Sequence, residues 1–168
     1  MDAQGWGIEM ARYNEWQNEK LYGICREIGQ EAREQDRGMF FRSIRLTLDH
    51  ILMVDDLLFR LADSGEAPTV FEPGKPFCAD WSMLCDARRD FDAAVEARFG
   101  EVDADWFAET VTFTRPAANR RTSLPRQFLL MQMFNHATHH RSQVTSELHR
   151  MGVDYGNTDL PYNPNSTM

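Results

Sequence analysis

The apolar positions of this chain return at intervals of three and four residues over four long stretches, and that rhythm is the first thing to read. From Ile8 to about Gln35, Met10, Tyr13, Trp16, Leu21, Ile24 and Ile28 recur among good helix formers, predicting an amphipathic helix that Asp36, Arg37 and Gly38 end. A second helix is predicted from about Met39 to Asp63, with Ile44, Thr47, Ile51, Val54, Leu58 and Leu61 on one stripe and Ser64 with Gly65 as its stop. A third runs from Trp81 to Phe99, with Leu84, Ala87, Phe91, Ala94 and Val95 inward and Gly100 at its carboxyl end. The fourth is the clearest: Pro125 stands near its first position, and the pattern continues to Met151, with Gly152 as the left-handed cap.

The breaks between these stretches set the architecture. Residues 66 to 80 hold Pro68, Pro73, Gly74 and Pro76, so this segment is a crossover loop rather than a helix. Glu101 to Phe107 reads as a turn or a short helical continuation. The β-branched and aromatic run Thr110 to Thr114, with the polar residues after Pro116, suits a small hairpin appended to the helices. From Val153 onward Gly156, Pro161 and Pro164 indicate irregular coil. The expectation is an all-α, up-and-down four-helix bundle, one domain over residues 1–168, with a longer crossover and a possible hairpin.

Composition narrows the function. At 168 residues and 42% hydrophobic content the chain can bury one core. Its longest apolar runs, Ile51 to Val54 and Phe128 to Met131, are far shorter than the roughly 20 residues a bilayer requires, so no membrane partner is expected. The amino terminus lacks a basic cluster followed by an apolar stretch, and the protein is read as cytoplasmic. A net charge of -8 argues against nucleic acid, whose phosphates demand Lys and Arg, and favours a small-molecule substrate. The pairs Arg88–Arg89 and Arg120–Arg121 read as solvated surface. Cys25, Cys78 and Cys85 show no paired spacing, so they are taken as reduced thiols behaving as small core residues.

The candidate chemistry lies in the histidines. His136 and His140 stand four apart on the last helix, which places both rings on one face. That face also carries Leu129, Met133, Val144 and Met151, so the rings point inward. Interior imidazoles must satisfy their ring nitrogens and cannot both become cations at low cost, and a metal ion resolves both demands. His50, mid-helix beside an apolar stripe, is the expected third ligand. His139 lies about a hundred degrees off the stripe and is a weaker substitute ligand. His149, beside Arg150 at the helix end, suits a dipole interaction. Tyr13 and Trp16 are candidates for lining a pocket, although aromatic residues at helical spacing are more often core. Glu147, near the ligand face, is the nearest approach to a general base.

The run Phe134 to Val144, FNHATHHRSQV, resembles the Phe-Asn-His-x-x-His-His-Arg-Gly-Gln signature of the DinB/YfiT-like family. The likeness extends to LTLDHIL around His50, ARYNEW near the start and GVDYGNTDLPY near the end, covering nearly the whole chain; Ser142 replaces the usual glycine. The resemblance implies a four-helix bundle, often a homodimer, with a divalent ion such as zinc, nickel, iron or manganese on His50, His136 and His140. It further implies thiol-dependent S-transfer with a low-molecular-weight bacterial thiol, or a related isomerisation, without fixing the substrate. A metal-dependent hydrolase and a non-catalytic metal- or ligand-binding stress-response protein are the competing expectations.

Overall fold

Three of the four long helices begin where a side chain accepts one of the amides the first turn leaves unpaired. Asp2 accepts from Gly5 N at the start of α1 (Ala3–Glu27), Ser43 from Leu46 N at α3 (Ile44–Asp63), and Asp80 from Met83 N at α4 (Trp81–Glu101). The fourth, α6 (Arg126–Arg150), has no side-chain cap and follows Pro125, the last residue of a hairpin strand. The computed structural model describes residues 1–67, 75–115 and 120–167, and of Arg115 the backbone alone.

The bundle is all-α with a small appended hairpin, as the patterning predicts; the differences lie at element boundaries, in the parallel run of α3 and α4 where an up-and-down order alternates, and in which face of α4 turns inward. The first helix starts at Ala3 rather than Ile8 and breaks at Gly29, whose φ of 82° favours glycine; α2 (Gly29–Glu34) follows as a separate short helix. The second long helix starts at Ile44, not Met39. Residues 39–42 instead make a tight turn in which Arg42 N donates to Met39 O at 2.8 Å, and Arg42 sits at a φ of 69°. Gly100 lies within α4. The turn after α4 contains α5 (Ala104–Ala108), and β1 (Thr110–Arg115) pairs antiparallel with β2 (Arg120–Pro125) in the register Thr110 to Pro125. Pro68, Pro73 and Gly74 of the crossover, and the polar run immediately after Arg115, lie outside the described residues.

Contacts along the helices give their directions. Gln4 reaches Phe99 O and Asn18 reaches Asp92, so α1 and α4 are antiparallel; His50 meets His136 and Arg126 meets Ala62 O, so α3 and α6 are antiparallel. Arg88 bonds Asp55 and Arg98 bonds Asp63, so α3 and α4 run parallel. The last residues of the crossover are pinned to α3, where the Asp49 carboxylate accepts from Phe77 N and Cys78 N at 2.6 and 2.8 Å.

The interior has two apolar clusters. One gathers Phe99, Phe107, Leu130, Met133 and Phe134; the other gathers Leu21, Ile44, Leu48, Leu84, Val144 and Leu148. A buried polar layer falls between them on α1, α3 and α4. Arg88, expected on the surface, is 3% exposed and bonds Asp55 at 2.7 Å and Asp92 at 2.6 Å. Its neighbour Arg89 is exposed, as are Arg120 and Arg121. Arg88 and Asp92 occupy the inner face of α4, whereas Ala94, read as inward, is exposed. The sequence pattern misses this because a buried ion pair has no apolar periodicity to betray it. Burial opposes the Arg88 charge, but Asp92 and Asp55 outweigh it and raise the pKa, so the guanidinium stays ionised.

Beyond Gly152, at a φ of 74°, the tail is irregular except for one 3-10 turn, Leu160–Tyr162, and it is anchored along α1. Tyr13 donates its hydroxyl to Thr158 O at 2.7 Å, and Ser166 bonds Glu9 at 2.8 Å. Among the described residues no helix is long and apolar enough to cross a membrane.

Candidate metal centre

The antiparallel pairing of α3 with α6 decides where the histidines meet. His136 and His140 are one helical turn apart on α6, and the facing helix presents His50 against both rings. One ring nitrogen from each of the three lies within 4.8 Å of the others, so the group can hold a metal ion, and no fourth His, Cys, Asp or Glu joins it among the described residues. The His50 and His136 Nε2 atoms are 3.2 Å apart. Two nitrogens bound at about 2.0–2.1 Å to one tetrahedral ion are separated by about 3.3 Å, so the spacing already suits a shared cation.

The electrostatics point the same way. Burial pushes the His50 pKa down to about 4, helped by His140. Burial also takes His136 to about 3, with His140, His50 and His139 adding to the effect. His140 is lowered by burial against the opposing hydrogen bond from Gln143. All three rings are therefore neutral at pH 7, the state that offers lone pairs. His140 Nδ1–H donates to Gln143 Oε1 at 2.9 Å, which leaves Nε2 as the lone-pair nitrogen. His136 Nδ1 is buried without a hydrogen-bond partner among the described residues. With no cation present, only one of the two facing Nε2 atoms can donate to the other; with one present, both are acceptors satisfied together. The donor set thus fits a divalent ion on chemistry as well as on distance.

An aromatic ring covers the group from the 39–42 turn. Phe41 stacks on His50 with centroids 3.9 Å apart and an interplanar angle of 25°, and its edge faces His140 at 5.3 Å. Phe40 beside it is 83% exposed. Sequence reasoning missed Phe41 because it extended the second helix through this turn. It also missed Gln143, which the spacing of three from His140 could have suggested.

The remaining candidates sit elsewhere. His139 is exposed, with its ring 4.7 Å from His140 and its nitrogens outside the converging set. His149 is exposed in the last turn of α6. Glu147 is buried, but Arg37 and Arg150 each approach it at 3.5 Å and take up its charge. Tyr13 is buried on α1 and lines a cavity with Thr138, Ser142 and Thr145, roughly the opposite face of α6 from His136 and His140. Trp16 is half-buried against Tyr13 and beneath the Lys20 ammonium.

A search of curated proteins finds no match to this chain. The DinB family is different: its sequence profile matches residues 1–167, essentially the whole chain, and with a helical bundle and three converging histidines already in place, the chain belongs to the DinB family.

Proposed function

We propose that His50, His136 and His140 hold a divalent metal ion, and that the protein uses it to transfer a low-molecular-weight thiol to an electrophilic small molecule. The observation that carries the metal reading is the convergence of three neutral imidazoles with no fourth protein ligand among the described residues, the donor count of a catalytic rather than a structural site. A divalent ion there supplies acidification of a thiol or a water at neutral pH.

The chain's own residues favour an external thiol. Burial pushes Cys25 up to about 12 and Cys78 to about 11, and raises Cys85, so none of these is a thiolate at pH 7. The sulfur nucleophile must then come from a second substrate. Phe41 excludes water from one side of the histidines and, with the exposed Phe40, offers an apolar wall to an electrophile. Gln143 fixes the orientation of His140. A hydrolase reading is weaker, because its nearest candidate base, Glu147, is engaged by two arginines.

The test is a thiol-transfer assay on protein loaded in turn with zinc, nickel, iron and manganese, using the common bacterial thiols and a chlorinated dinitroaromatic acceptor. Conjugate formation that depends on the metal and disappears in His50→Ala is expected. A fully metallated protein inactive with every thiol, yet hydrolysing ester probes, would transfer the assignment to the hydrolase.

A further inference from the structure

A second polar pocket lies on the other side of α6, and its chemistry is not that of the histidines. Arg141 is only 5% exposed, yet no carboxylate among the described residues lies within ion-pair distance of it. Its guanidinium donates to Asn14 Oδ1, to Asn18 Oδ1 at 3.4 Å and to Thr138 Oγ1 at 3.2 Å. A guanidinium carries five N–H donors, so two are left over for a ligand. The nearest acids are already held. Asp92 and Asp55 rest directly on Arg88, and Asn14 and Asn18 separate Asp92 from Arg141, turning their amide NH2 groups to the carboxylate and their oxygens to the guanidinium.

Beside Arg141 is a cavity of about 130 Å³ between α1, α6 and the tail. Its wall brings together Thr138, Ser142 and Thr145 from α6 with Tyr13 and Gln17 from α1, and Thr158 of the tail closes one side. The Thr138 hydroxyl accepts from Arg141, so its own hydrogen points elsewhere. Ser142 and Thr145 now donate to carbonyls of their own helix, bonds that such hydroxyls exchange at small cost. The volume is roughly ten times what one water needs, which suits a ligand of a few heavy atoms. Lys20, bonded to Asn157 O, adds a second positive charge close enough to Arg141 for the two to repel.

We propose that this pocket binds a small oxyanion, a phosphate, sulfate or short carboxylate, with Arg141 as the charged anchor and Thr138, Ser142 and Thr145 as neutral donors. Arg is suited to this because its planar fork meets two oxygens of such a group at once. The occupant would also bridge the tail to α6.

The test uses the full chain stripped of metal by chelation, so that the histidines contribute nothing. Melting temperature is followed against phosphate, sulfate and acetate, with chloride at matched ionic strength as the reference. A saturable rise with at least one oxyanion is expected, retained in His50→Ala and shifted to about ten-fold higher concentration in Arg141→Lys and Thr138→Val. If Arg141→Lys does not fold, Thr138→Val alone decides. No saturable rise beyond chloride with any of the three anions overturns the proposal, as does a rise that both variants leave unchanged.

Discussion

Two groups of buried polar side chains share this bundle, and they are opposites. The Arg88 layer holds its charges in direct contact, each carboxylate facing a guanidinium and each asparagine bonded on both sides. The histidine group holds no charge at pH 7, leaves His136 Nδ1 without a hydrogen-bond partner among the described residues, and sets two like nitrogens face to face at 3.2 Å. A layer whose opposite charges meet directly fixes how α1, α3 and α4 pack. A group that cannot satisfy itself is shaped for something the chain does not supply. The comparison teaches that neither burial nor a stray unpaired atom marks a functional site, since Arg88 Nε and Asp55 Oδ1 are also buried without a hydrogen bond among the described residues; the convergence of neutral nitrogen lone pairs on one point does.

The contrast breaks most sharply at Arg88. Arg88→Ala would leave Asp55 and Asp92 buried without a cation, and a stability loss of about 3–5 kcal/mol is expected in urea unfolding. Removing a histidine should do the reverse. In His50→Ala the metal-free protein should melt close to the wild type, while affinity for zinc measured by calorimetry falls at least about 100-fold, since a ligand matters no less than the residues that orient it. Equal destabilisation of the metal-free protein by both changes would erase the distinction drawn between the two regions.

Smaller effects sharpen it. Gln143→Leu removes the hydrogen-bond acceptor that orients His140 and should weaken metal binding by about 10-fold while leaving the helix intact. Acidity offers another measure. His50 and His136 have folded pKa values of about 4 and about 3, below the ordinary 6.5. Between those values and 6.5 the unfolded chain binds more protons, so metal-free stability should fall as pH drops from about 6.5 and level off below about 3. Melting curves of His136→Ala should show a shallower decline over the same range; an unchanged decline would place its origin elsewhere. Least affected should be His139→Ala, whose ring is exposed and outside the converging set, with metal affinity within about two-fold of the wild type.

How much of this was legible beforehand depends on the kind of signal. The helices were, because an amphipathic stripe is a local property; so were His136 and His140 on one face, since a spacing of four is geometry within a single helix. The boundary at Ile44 was not, because residues 39–42 continue a plausible helical pattern and only the turn at Arg42 reveals that the chain bends there to carry Phe41 over His50. The pocket expectation for Tyr13 illustrates the same limit. Its position on α1 was evident, but which face of α6 it meets depends on how the two helices are set against each other.

By itself the sequence determined the helical content, the bundle class, the family and the three histidines at helical positions, because each is encoded in short-range periodicity or in a contiguous motif. Only the tertiary structure decided that α3 and α4 run parallel, that Arg88 is buried while Arg89 is exposed, and that His50 comes within 3.2 Å of His136. The physical reason is that these facts concern pairs of residues far apart along the chain, whose meeting is fixed by the collective packing of the helices and leaves no trace in the spacing of either partner.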